Sequence, residues 1–305
     1  MISVIHSALY NCDIGTHVFP TGKWNGALQL LLPHLQPGQV LEPQPATRAD
    51  LERVHTTAYL DDFYALHNSA RIFQSELPIT KEIRDAYILA AGGTMLAAKR
   101  ALEDGAAMHL GGGFHHAMPD HAEGFCYVHD IAVAIRALQA QGRLERVAIL
   151  DTDLHQGNAS AVIFQDDPRV FTFSIHQENN YPAKERSDLD IGLRDGVGDA
   201  EYLKHLEDAV PPILEQHRPE LVIMVAGADP YQDDLLGGLG LSLAGLRQRD
   251  RWIIGACAQR GIPVVGLTAG GYARQLQDTE QIHANTCLEI LDWPQRQSDE
   301  PQGDQ

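Results

Sequence analysis

Only four cysteines occur in the 305 residues, Cys12, Cys126, Cys257 and Cys287, and no two stand in C-x-x-C spacing. That scatter excludes a cysteine-built zinc ribbon and a disulfide framework, and makes a reducing compartment, the cytoplasm, the expected location. Long hydrophobic runs are missing too. No apolar stretch approaches the roughly 18 residues of a membrane span, and the opening MISVIHSALY lacks the basic segment of an export signal. Neither membrane insertion nor export is expected. Basic residues are scarce, 23 lysines and arginines against 41 aspartates and glutamates, for a formal charge of -18. A surface of that sign repels a phosphate backbone, which argues against a nucleic-acid partner and suits a cationic substrate. Internal repeats and a linker between balanced halves are also absent. One domain over residues 1–293 is therefore expected, followed by a polar, disordered tail at 294–305.

What the chain does contain is alternation. Short apolar or β-branched runs at residues 3–6, 107–110, 147–150, 170–174, 221–226 and 264–267 read as strands. Between them, residues 81–103 carry Ile83, Tyr87, Ala90 and Ala91 at helical spacing, and residues 200–217 carry Leu203, Leu206, Val210, Ile213 and Leu214. Another helix starts at Ser242, a good N-cap residue, and stops at Gly261. Strand and helix in turn imply an α/β fold with a mainly parallel central sheet covered by helices.

In open sheets of this kind, ligands bind beyond the carboxyl ends of the strands, and the chain's chemistry collects there. GGGFHH follows one predicted strand, DTDLH a second, GAD a third and TAGGY a fourth. Alternate residues of an extended segment face one way, so Asp151, Asp153 and His155 can converge. An Asp-x-Asp after a strand is also common in turns, where Asp bonds the nearby backbone. Taken with Asp229, however, Asp153 and His155 offer two carboxylates and one imidazole. Three such ligands with a position left for water make the catalytic pattern for zinc, and Fe(II) tolerates similar ligands.

GGGFHHA at 111–117, EGFCYVHD at 123–130, DTDLHQGN at 151–158, FSIH at 173–176, AGADP at 226–230 and AGGY at 269–272 follow one another in order. Together they resemble the zinc-dependent histone deacetylases and their bacterial amidohydrolase relatives, over nearly the whole chain. HVFPTGKW at 17–24 looks most like the class IV branch. The resemblance implies a single-domain, three-layer α/β sandwich of the arginase/deacetylase fold. It also implies hydrolysis of an N-acyl-lysine amide in a protein or peptide.

Site roles follow from the same resemblance. Asp153, His155 and Asp229 would hold zinc, and His116 would act as general base and then protonate the leaving amine. His115, hydrogen-bonded to Asp151, would assist, and Tyr272 would donate to the developing oxyanion, swung in by a mobile Gly270-Gly271 lead-in. Gly124 and Phe125, with Tyr181 opposite, would line a narrow tunnel for the acyl-lysine stem. A potassium ion would use Asp151, Asp153, His155 and the backbone around Ser174 and Ile175. A second ion would sit near Phe164, Asp167 and Val170.

One position departs from many class I members: Asn158 stands where they pair an aspartate with the general-base histidine. An amide stabilises imidazolium less than a carboxylate does, so His116 should have a lower pKa here. Two other readings share much of the machinery. An acetylpolyamine or other small acyl-amine amidohydrolase would have the same catalytic residues, and a non-catalytic acyl-amine binder would keep the pocket. An arginase-like binuclear site is disfavoured, since it wants further aspartates where Leu154 and Tyr231 stand.

Overall fold

The structure, a computed structural model, describes residues 1–298. Eight strands run in chain order: β1 Ser3–Ile5, β2 Val40–Leu41, β3 Ala106–His109, β4 Val147–Asp151, β5 Val170–Gln177, β6 Leu189–Leu193, β7 Leu221–Val225 and β8 Val264–Leu267. They form one sheet in the order β2-β1-β3-β8-β7-β4-β5-β6, and every pairing is parallel. A parallel sheet must be covered on both faces. Strands β3, β4, β7 and β8 are buried throughout, and the helices that cover the sheet complete the expected α/β architecture.

Six strands fall where the apolar runs placed them, within one residue at most ends and three for β5. The two outermost strands, β2 and β6, did not announce themselves. β2 is two residues long, and β6 alternates exposed Asp190 and Gly192 with the more buried Leu189, Ile191 and Leu193, the mixed pattern of an edge strand. The predicted helices appear as Lys81–Asp104, Asp199–His217 and Leu243–Ala258. Two of them begin at a side-chain cap: Thr80 Oγ1 accepts from Ile83 N and Ser242 Oγ from Gly245 N.

Several helices were not read from sequence, notably Lys23–Leu31, Asp130–Ala140, Asn158–Phe164 and Leu276–Leu291. All four bury polar side chains, Asp130 in the second and Asn158 and Ser160 in the third. Lys23 lies in the first and Thr279, His283, Thr286 and Glu289 in the last, which blurs the apolar stripe that periodicity relies on. Gly26 lets the first and last of these helices meet, since a Cβ there would lie 2.0 Å from Glu280 Oε1.

The expected polar tail needs a correction. Trp293–Ser298 is helical, with Trp293 buried and Arg296 paired to Glu289. Glu289, wholly buried, also takes Arg247 at 2.6 Å and Arg251 at 3.0 Å. That multiple ion pair, rather than local propensity, holds the chain here. Residues 299–305 lie outside the described residues.

Candidate active site

Strands β3, β8, β7 and β4 are neighbours in the sheet, so the segments leaving their carboxyl ends meet above its centre. After β3, the glycine loop turns sharply. Gly111 (φ 145°) and Gly113 (φ 93°) have positive φ, and a Cβ on Gly111 would lie 2.3 Å from the Tyr10 ring. Buried Asp130 fixes the loop by accepting from Gly113 N at 3.0 Å and Phe114 N at 2.7 Å. His115 and His116 are thereby presented side by side, ring centroids 4.0 Å apart.

Past β4 the chain does not stay extended, as the alternation argument assumed. It bends, and each carboxylate accepts the N–H two residues on: Asp151 Oδ1 from Asp153 N at 3.1 Å, Asp153 Oδ1 from His155 N at 3.0 Å. These are the local Asp bonds of a turn, and here they coexist with convergence. One ligand atom from each of Asp153, His155 and Asp229 falls within 4.8 Å of the others, all buried. His155 Nδ1 is 3.2 Å from Asp153 Oδ1 and 3.1 Å from Asp229 Oδ2.

Two glycines leave room for that cluster. A Cβ on Gly227 would come within 2.3 Å of Asp153 Oδ2, and one on Gly270 within 2.2 Å of Asp229 Oδ2. The donor set and its glycine cradle fit a divalent ion. Gly270 also donates its N–H to Asp153 Oδ2 at 2.8 Å, and Tyr272 N donates to Asp234 Oδ2 at 2.7 Å. The Gly270-Gly271 lead-in, expected to be mobile, also has a packing reason to be glycine. At Gly271 (φ 145°) a Cβ would lie 2.8 Å from Ala228 and Thr279.

The two adjacent histidines differ in partner and in charge. Burial alone would lower His115, but the carboxylates of Asp151, 2.6 Å from its Nδ1, and Asp153 overcome it and bring its pKa to about 9. His116 faces the Asn158 amide at 2.7 Å; burial, and then His115 and His155, hold it well below the ordinary imidazole value. Burial is the main cause of that lowering, and the Asn158 amide opposes it only in part.

A small pocket is lined by His115, His116, Gly124, Phe125, Asp153, His155, Gly270 and Tyr272. It shares His116, Gly124, Phe125, His155 and Tyr272 with a wider outer space bordered by Glu76, Asn180, Tyr181 and Leu236. Gly124 and Phe125 both have positive φ, 51° and 63°. Such a conformation strains a phenylalanine by about 1 kcal/mol, and it sets Phe125 beside Tyr272, centroids 5.9 Å apart. A Cβ on Gly124 would meet Tyr181 Oη at 2.5 Å and His116 Cδ2 at 2.8 Å, so Gly124, Tyr181 and His116 crowd one another at the pocket wall.

Ser174 and Ile175 are buried in β5, with Ser174 in register with Asp151. Farther away, the Asp167 carboxylate is already engaged by Arg136 and Arg169.

A sequence model described as a histone deacetylase domain matches residues 17–288. The chain belongs to the histone deacetylase family. Histone deacetylase 2 of Arabidopsis thaliana is 32% identical to it, over 90% of this chain and 75% of the plant protein. A histone deacetylase-like amidohydrolase of Pseudomonas aeruginosa is 31% identical over 77% of this chain and 66% of its own. An uncharacterised protein of a Picosynechococcus strain is 42% identical, covering 88% and 91% respectively. Family and relatives together support a hydrolase, a deacetylase in the broad sense.

Four residues escaped the sequence reading. Lys23, fully buried, donates from Nζ to Ala269 O at 2.7 Å beneath Tyr272, and burial, opposed by Asp229 and Asp153, leaves its pKa at about 8. Asp234 pins Tyr272, Asp130 shapes the histidine loop, and Glu123 stands behind Asn158. Each is a charged residue whose partner lies far off in the sequence or carries no pattern of its own. Among the described residues, no helix is long and apolar enough to cross a membrane.

Proposed function

We propose that the chain hydrolyses the amide of an N-acyl-lysine, with zinc held by Asp153, His155 and Asp229. The observation that carries this reading is the buried three-residue cluster at the base of a narrow pocket walled by Phe125 and His116. Bound there, zinc supplies Lewis acidity toward the amide carbonyl and makes a coordinated water more acidic; Fe(II) is the other ion the ligand set admits. His116, neutral at pH 7 and bonded through Nδ1, has Nε2 as its other ring nitrogen to take up the water's proton. The same atom then returns it to the departing amine. His115 with Asp151 sets the charge beside it. Tyr272 offers its hydroxyl to the oxygen that gains charge, an interaction strongest in the transition state. Gly124, Phe125 and Tyr181 exclude water from the aliphatic stem.

Potassium at Asp151, Asp153, His155, Ser174 and Ile175 is part of the same reading, supported by the Asp151–Ser174 register. Class IV placement rests on HVFPTGKW, whose Phe19 ring lies 5.9 Å from that of Phe125. The catalytic domain so read, expected to end at 293, extends through the helix Trp293–Ser298. Four unpaired cysteines accord with the cytoplasm. The outer border carries Glu76, and with the net charge of -18 it favours a cationic substrate.

The test is a panel: acetyl-, butyryl- and myristoyl-lysine peptides beside acetylputrescine and acetylspermidine, each with zinc-loaded protein at neutral pH. Cleavage of a lysine peptide supports the proposal. Preference for the polyamines reassigns the substrate, and cleavage of none removes the hydrolytic role.

A further inference from the structure

Asn158 does not stand alone behind His116. Its Oδ1 lies 2.7 Å from His116 Nδ1, and its Nδ2 donates across 3.0 Å to Glu123 Oε1. That oxygen also accepts from the Tyr181 hydroxyl at 3.0 Å, and His121 Nε2 lies 3.5 Å from the other, Oε2. Asn158 is buried, while the Glu123 side chain is 20% exposed.

The backbone around Glu123 explains its aim. Glu123 and Cys126 exchange both backbone hydrogen bonds, Glu123 N to Cys126 O at 3.1 Å and Cys126 N to Glu123 O at 2.8 Å. Gly124 and Phe125 between them both have positive φ, which makes a tight turn of type I′. The tip of this turn forms the pocket wall; its first residue reaches back to Asn158.

An asparagine amide has one donor end and one acceptor end, and only its surroundings decide which way it points. An ionised Glu123 accepts and cannot donate, so it can meet only the NH2 end. The carbonyl oxygen must then face His116, which requires the hydrogen on Nδ1 and leaves Nε2 with its lone pair. A flipped amide would present N–H to Nδ1 and move the hydrogen to Nε2, where it blocks proton uptake.

We propose that Glu123 is a positioning residue: acting through the Asn158 amide, it holds His116 in the Nδ1–H tautomer and supplies, at one remove, the negative charge of a directly paired carboxylate. This rests on the hydrolase reading above, and it gives a sign that a rim carboxylate touching substrate would not. With Asn158 in place, an anion at 123 helps. In the Asn158→Asp variant the same anion faces a second carboxylate and hinders, whereas a glutamine at 123 could donate to it.

The experiment uses zinc-loaded full-length protein carrying Glu123→Ala, Glu123→Gln, Asn158→Asp and the double variant Glu123→Gln/Asn158→Asp. Glu123→Ala should lower kcat about 10- to 100-fold, the usual range for such supporting partners, with KM within about twofold. Glu123→Gln should lower kcat alone yet raise it in the Asn158→Asp background. Nitrogen-15 NMR of labelled histidine should show His116 protonated on Nδ1 in the wild type and mixed in Glu123→Ala. An unchanged kcat, a loss confined to KM, the same sign in both backgrounds, or an unaltered tautomer overturns the proposal. If the wild type turns over no substrate the hydrolase reading fails, and the tautomer measurement still decides the role of Glu123.

Discussion

His115 Nδ1 and Asp151 Oδ2 are 2.6 Å apart, and that contact sets the electrostatics of two adjacent histidines apart. With Asp153 it makes His115 the charged member, while burial first, and then the neighbouring imidazoles, keep His116 neutral beside an amide. A neutral base beside a cation resists protonation, which keeps it available below pH 7.

The pH dependence of kcat/KM should follow from this. Asn158→Asp places a carboxylate at His116 Nδ1 and raises its pKa. A base with a higher pKa stays protonated to higher pH, so the acid limb of the profile should move upward. A limb that does not move contradicts the His116 assignment.

Tyr272→Phe should separate binding from turnover. Loss of a donor to the developing oxyanion costs about 100- to 1000-fold in kcat, while affinity for a hydroxamate held by the ion and walls should change little. Equal losses in both would place the hydroxyl in ground-state binding.

Gly270→Ala tests the cradle. The added methyl would come 2.2 Å from Asp229 Oδ2 and 2.6 Å from Asp153 Oδ2. Bound metal should fall well below one equivalent with the fold retained by circular dichroism. Full metal occupancy would show that the ligands relax around it.

Removal of the ion should cost stability as well as activity. At zinc concentrations about 100 times the Kd, binding adds about 2.7 kcal/mol to the folded state. A chelator should therefore lower Tm, and zinc should restore it. Asp153→Ala should not respond.

The legible part of this molecule was its centre. Buried parallel strands are unbroken apolar runs, and β3, β4, β7 and β8 lead into glycine, aspartate and histidine, residues that stand out against them. Hence Asp153, His155, Asp229, the histidine pair and Tyr272 could all be named from sequence, and the structure gathers them. The periphery was less legible. β6 shows no continuous apolar run because Asp190 and Gly192 on its exposed face interrupt Leu189, Ile191 and Leu193, and the helix at Leu276–Leu291 hides its inner face behind buried Thr286 and Glu289. Lys23 and Glu123 could not be found by pattern at all, since burial under Tyr272 and a bond to Asn158 are properties of the assembled chain.

The most direct test of the central claim is a zinc titration of metal-depleted protein, following cleavage of an acetyl-lysine peptide. Turnover should rise linearly to one equivalent of zinc and then level, and Asp229→Ala should neither bind the ion nor gain activity. Equal turnover before any zinc is added, or an active Asp229→Ala, would contradict it.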